Sequence, residues 1–241
     1  MSIIELIGFG ASGWGALLLV AALMTLAVTL TALAIGAVFG AAVAAAKLSG
    51  NRVLRVLGNA YTTVFRAVPE LLIIYLIYFG GSSAVTALGK AFGYSGFLGL
   101  PSFAAGALAV GVISGAYQAE VYRGAFLAIS KGELEAAASV GMNRGLRFRR
   151  IIMPQVLRYA IPGIGNVWQL SLKDSALVSV TGLAELMRTS QVAAGSTRQY
   201  FLFFIVGGGL YLLLTSLSDR VFIGAERRAN RSMPAATLGR S

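Results

Sequence analysis

Arg66, Glu70, Glu120, Arg123, Lys173 and Asp174 all stand in stretches of sequence that are otherwise mostly apolar. An ionisable group in such a place is costly when lipid surrounds it, and it normally faces a bundle interior or a watery path. Arg66 and Glu70 are four residues apart, and Glu120 and Arg123 three apart. Either spacing on a helix allows an ion pair. Lys173 and Asp174 are neighbours in sequence, so they point apart and each needs a partner elsewhere. Two chemistries fit: the charges hold a bundle together, or they line a polar route for a charged solute. Pro69 can bend its helix and free a carbonyl. Broken helices often sit at binding sites, and a purely structural kink explains the proline equally well.

Other chemistries are poorly supplied. The 241 residues contain no His and no Cys, which removes imidazole bases, thiol nucleophiles and metal sites built on either. Only nine residues are acidic. Ser171, Lys173 and Ser175 offer a Ser–Lys pair at a spacing that does not face on a helix. Gly89-Lys90-Ala91 lacks the upstream glycine and the Ser/Thr of a phosphate loop. We therefore expect a non-catalytic chain with no metal.

The elements that must position these charges are membrane helices. Hydrophobic residues make up 57% and charged residues 12%, with mean hydropathy +0.77; soluble domains carry about a quarter charged residues. Gly15 to Ala46 is uncharged over 32 residues, against ~20 needed to cross a bilayer. Inside it Gly36 and Gly40 form a GxxxG pair, a spacing that lets helices approach closely, although small residues are common enough here for chance to produce it. Further apolar stretches run over about 56–80, 101–129, 160–187 and 200–222, with loops expected at 81–100 and 188–199. The fold expected is an all-α membrane protein with five transmembrane helices. Residues 1–14 form an outer N-terminal segment without the basic start of a signal peptide, 15–223 the membrane domain, and 224–241 a basic tail. Fourteen Lys and Arg fall on one side and three on the other. By the positive-inside rule the N-terminus is periplasmic and the C-terminus cytoplasmic. The net charge of +11 is thus spread over every cytoplasmic segment. It suits an anionic lipid surface and excludes nucleic acid as a partner.

The cytoplasmic loop 130–159 is the most informative segment. Ser130 and Glu133 have capping-box spacing, residues 133–138 are strong helix formers, and Gly141 suits a left-handed helix end. Asn143 and Gly145 support a turn, and a second amphipathic helix is expected from near Leu146. Glu135, Ala136, Ala137, then Gly141, then Ile151 and Pro154 reproduce the E-A-A, three residues, G, nine residues, I-x-L-P pattern, with Met153 in place of Leu.

That pattern resembles the membrane subunits of bacterial ABC importers. The segments 61–70 (YTTVFRAVPE), 115–124 (GAYQAEVYRG), 165–182 and 225–228 narrow the likeness to the polar amino acid uptake subfamily. Within it the chain looks most like histidine/lysine/arginine/ornithine and opine (octopine, nopaline) permease subunits. The resemblance implies a type I importer transmembrane domain in the bacterial inner membrane. It implies that Glu135, Ala136, Ala137, Gly141, Ile151 and Pro154 form a coupling helix docking on an ATPase. It implies as partners a second homologous permease subunit, two copies of a cytoplasmic ATP-binding subunit and a periplasmic amino acid-binding protein. ATP and Mg would be bound by the ATPase, leaving this chain without a cofactor. Glu70, directly after Arg66-Ala67-Val68-Pro69, fits the basic amino acid and opine type, either as a substrate counter-ion or as partner to Arg66. Glu120, Asp174, Arg66 and Lys173 complete the expected substrate path. The competing reading is a stand-alone secondary transporter or channel using carboxylates such as Glu120 as relays; five spans without a visible repeat argue against it.

Overall fold

The structure, a computed structural model, describes residues 3–10 and 13–230, and every regular element among them is helical. A short helix α1 (Ile3–Ile7) precedes α2 (Gly15–Leu48), which carries the uncharged run. The Asn51 side chain accepts from the Val53 amide at 2.9 Å and starts α3 (Arg52–Ala67), satisfying a donor that the first turn leaves orphaned. Next come α4 (Glu70–Tyr75), a π-type turn at Leu76–Gly80 and α5 (Gly81–Ala91), which together make one rod. Then follow α6 (Ser102–Leu127), α7 (Lys131–Ser139) and α8 (Arg144–Arg147). A π-type turn at Phe148–Ile152 joins α8 to α9 (Met153–Asp174). A 3-10 turn, Ser175–Thr181, leads through Gly182 to α10 (Leu186–Thr197) and α11 (Tyr200–Asn230).

The centre of the molecule is the pair α2 and α6. At Gly36 and Gly40 the helices approach so closely that a Cβ on Gly40 would lie 2.8 Å from the Gln118 Cβ. Gln118 Nε2 donates to the Leu33 carbonyl at 3.1 Å, and Ser114 Oγ to the Ala32 carbonyl at 3.3 Å. The GxxxG spacing is therefore a packing feature, and small residues allow the close contact. In the most apolar stretch of α6, 67% is buried, against 11% for α11. Val28, Ala32, Ile74, Ala109, Val110 and Val178 form a core on one side of this pair. Leu6, Leu18, Leu186, Ala193 and Phe203 form a second core under α10 and α11.

Four helices are long and apolar enough to cross a membrane: Gly15–Leu48, Glu70–Ala91, Ser102–Leu127 and Tyr200–Asn230. The second departs from the sequence expectation of a stretch at 56–80 followed by a loop. Val68 (φ −82°, ψ 135°) and Pro69 (φ −53°, ψ 131°) are extended and separate α3 from α4, because a proline disfavours helical geometry in the residue before it. The apolar helix consequently begins at Glu70 and runs through Ala91. The expected 160–187 stretch ends as an α-helix at Asp174, and the polar loop expected at 188–199 is mostly the helix α10. The expected tail from 224 is helical as far as Asn230, while residues 231–241 lie outside the described part.

Candidate functional site: an exposed loop and two charged clusters

The loop begins with α7. Ser130 is its N-cap residue, yet its side chain makes no capping bond. The expected capping box is not formed, because Glu133 Oε2 accepts from Gln155 Nε2 at 2.6 Å instead. At the other end Gly141 takes φ +80°, a region costly for residues with a Cβ. Its amide reaches the Ala138 carbonyl at 3.0 Å, and the Met142 amide reaches Ala137 at 3.1 Å, which closes the helix end. Asn143 Oδ1 then accepts from the Leu146 amide at 2.8 Å and opens α8 at Arg144, two residues before the expected start. Arg147 Nη1 donates to the Leu134 carbonyl at 3.4 Å, which ties the two helices together.

The motif residues meet in this fold. Ala136, Ala137, Ile151 and Pro154 line one mostly apolar cavity of about 470 Å³. Glu135 and Ala136 are exposed, whereas Ala137 is only 5% exposed and serves the loop's own packing. The arrangement can present a short helix with a carboxylate to another protein while the Glu133–Gln155 bond ties it to α9 across the cavity.

A second cluster joins α2, α3 and α6. Lys47 Nζ donates to Glu120 Oε1 and, at 2.9 Å, to Thr62 Oγ1. Arg123 Nε donates to Glu120 Oε2 at 2.9 Å. The i,i+3 pair thus forms, with Lys47 as a third member that spacing along one helix could not reveal. Lys47 and Glu120 also line a cleft of about 410 Å³ with Asn59, Thr62, Arg66 and Tyr117. The Arg66 guanidinium lies 5.3 Å from the Tyr117 ring centroid, a cation–π contact. An Arg66–Glu70 ion pair is not among those formed by the described residues. Pro69 puts the two residues on different helices, which removes the i,i+4 geometry.

Glu70 and Asp174 instead approach each other. They start α4 and end α9, half-buried, close enough for their charges to interact. Among the described residues neither is in an ion pair. Lys173 lines a different cavity of about 590 Å³ with Ser190, Gly207 and Tyr211, as expected for a neighbour pointing away. Two like charges held this way suit a cationic guest.

Sequence reasoning passed over Glu185 and Tyr211. Glu185 is fully buried and accepts from the Met187 and Arg188 amides at 2.8 and 2.6 Å and from Tyr211 Oη at 2.9 Å. It caps α10 and ties it to α11. A Glu just before a helical run is a readable cap, but its tyrosine partner lies 26 residues away.

The comparisons with known proteins give the family and the fold. The family described as binding-protein-dependent transport system inner membrane component matches residues 36–231. The octopine transport system permease protein of Rhizobium radiobacter is 53% identical over 95% of this chain and 97% of its own length. The nopaline transport system permease protein of Agrobacterium fabrum is 48% identical over 95% and 98%. The histidine/lysine/arginine/ornithine transport system permease protein of Escherichia coli is 40% identical over 94% and 99%. A crystal structure of an amino acid ABC transporter with histidines has a chain with TM-score 0.76 and 32% identity, covering 89% of this chain and 95% of that one. A chain of the methionine ABC transporter in an inward-facing form matches with TM-score 0.73 at 19% identity, a likeness of fold. The chain belongs to the family of inner membrane components of binding-protein-dependent transport systems, and it is a permease subunit.

Proposed function

We propose that this permease subunit serves an ATP-driven importer for basic amino acids or opines. The observation that carries the reading is the meeting of Glu70 and Asp174 without a cationic partner in an ion pair among the described residues. A guanidinium or ammonium group entering there would relieve two like charges at once. The names of the octopine, nopaline and histidine/lysine/arginine/ornithine relatives support the same solute class. We assign Arg66, Glu120 and Lys173 to the same route from their charge within apolar stretches; Arg66 and Glu120 share one cleft and Lys173 lines another.

Five crossings are the topology we favour. The fifth is α9, whose 22 residues give ~33 Å of rise. Its polar residues Gln169, Lys173 and Asp174 suit a helix that faces a path or another subunit more than lipid. The positive-inside bias puts α7 in the cytoplasm, where Glu135, Ala136, Gly141 and the cavity behind them would dock on an ATPase subunit that binds ATP and Mg. A second homologous permease subunit and a periplasmic binding protein complete the assembly.

The test is reconstitution with the ATPase and binding protein and measurement of arginine and octopine uptake. Glu70→Gln lowers cationic uptake about tenfold or more, the scale of losing one charge-assisted hydrogen bond, while assembly is unchanged. Uptake that continues without the ATPase on a proton gradient would sink the proposal. Because the chain has no native cysteine, Ser139→Cys labelled only from the cytoplasmic face checks the orientation.

A further inference from the structure

An apolar groove of about 450 Å³ lies between α2 and the start of α9, at the end of the bundle that carries α7. Ala41, Ala44 and Ala45 form one wall, and Phe148, Ile152 and Leu157 much of the other. The alanine wall is the last stretch of the uncharged run of α2, just before Lys47, which suits the level where lipid tails meet headgroups. An extended peptide would leave its backbone unpaired in hydrocarbon.

The arginines beside the groove divide into two sets. Arg147 is bonded to Leu134, and Arg150 lines the cavity behind α7. Arg144 and Arg149 are exposed. Arg149 directly follows the groove residue Phe148, and Arg144 stands about one α-helical turn before it. Glu120, the carboxylate at this end of α6, is already bound to Lys47 and Arg123. The result is an apolar slot with two exposed arginines on the segment that forms one wall, and the nearby acid neutralised.

We infer that this groove is a binding site for an anionic glycerophospholipid: one acyl chain lies along the alanine wall, and Arg144 and Arg149 hold the phosphate. Guanidinium groups match phosphate geometry through paired N–H donors, and basic residues next to a span favour anionic lipid. The inference is independent of the solute assigned above.

The test uses the permease assembled with its ATPase in nanodiscs of equal phosphatidylglycerol and phosphatidylcholine, with retained lipids counted by native mass spectrometry. Retained phosphatidylglycerol should exceed phosphatidylcholine several-fold. The ratio should fall to that of the bulk lipid in the Arg144→Gln/Arg149→Gln variant, and retention itself should drop in Ala41→Leu, which narrows the slot. Equal retention of both lipids by the unaltered protein overturns the site. Loss in the arginine variant with full retention in Ala41→Leu means surface attraction alone and overturns the groove. Cross-linking of Ala41→Cys to another protein chain gives the slot to a protein neighbour and overturns it as well.

Discussion

Residues 130–154 and the Lys47–Glu120–Arg123 cluster both place charge at one end of an apolar bundle, and they do so in opposite ways. The loop is built from its own sequence. Gly141 turns it, Asn143 restarts it, and contacts such as Arg147 to Leu134 span 13 residues. The cluster is built from three helices, and its Lys47–Glu120 contact spans 73 residues. A local device can be changed without unfolding the rest. A device shared between helices carries the packing of the bundle with it.

The strongest way to break this contrast is Glu120→Ala. It leaves the Lys47 side chain, 8% exposed, without its carboxylate. Breaking a fully buried pair costs about 3–5 kcal/mol; with Glu120 itself 23% exposed, about 2–3 kcal/mol is expected. A lowered melting temperature in detergent would register it, and Lys47→Met/Glu120→Leu should recover most of the loss. A variant that melts like the unaltered protein would make the cluster as dispensable to the fold as a surface loop.

The loop should respond differently. Gly141→Val forces a branched side chain into the left-handed region, at about 1–2 kcal/mol, a factor of about 5–30 in population of the correct turn. ATPase stimulation should fall by about that factor while the membrane-inserted fold melts unchanged. Global destabilisation would erase the distinction between the two regions. The smallest effect sharpens it: Asn143→Ala removes an N-cap worth about 1 kcal/mol. Faster amide exchange over Arg144–Arg147 with unchanged exchange in α6 is the expected signature.

The same contrast explains what could be read from the sequence. The loop is legible because its turn residues and motif are contiguous; the capping box fails, with Glu133 bonded to Gln155 instead, and the second helix starts two residues early. Spacing allows both the GxxxG contact and the Glu120–Arg123 pair, as it allows Arg66–Glu70, and only packing shows which of them form. The apolar helix after Pro69 was misplaced because hydropathy does not record where a proline divides a run; the backbone at Val68 does. That break also cancelled the Arg66–Glu70 pair. Arg188–Gln199 reads as loop because it is polar, whereas the stability of α10 comes from Glu185 below and from Ala193 and Phe203 packing alongside. Lys47 was counted only as a loop charge, since its partner is a matter of tertiary packing.

The helical backbone from Arg144 to Asp174 is unbroken. Its 31 residues amount to about 46 Å of rise. One end adjoins the Gly141 turn, and the other holds the carboxylate facing Glu70. A displacement imposed near Asn143 has no slack segment in which to dissipate before Asp174. Pro162 lies inside this rod, where a missing N–H weakens one helical hydrogen bond and gives the rod a place to flex, so a push at one tip would arrive at the other partly as rotation. The distance between two like charges would then report what happens at the Gly141 turn.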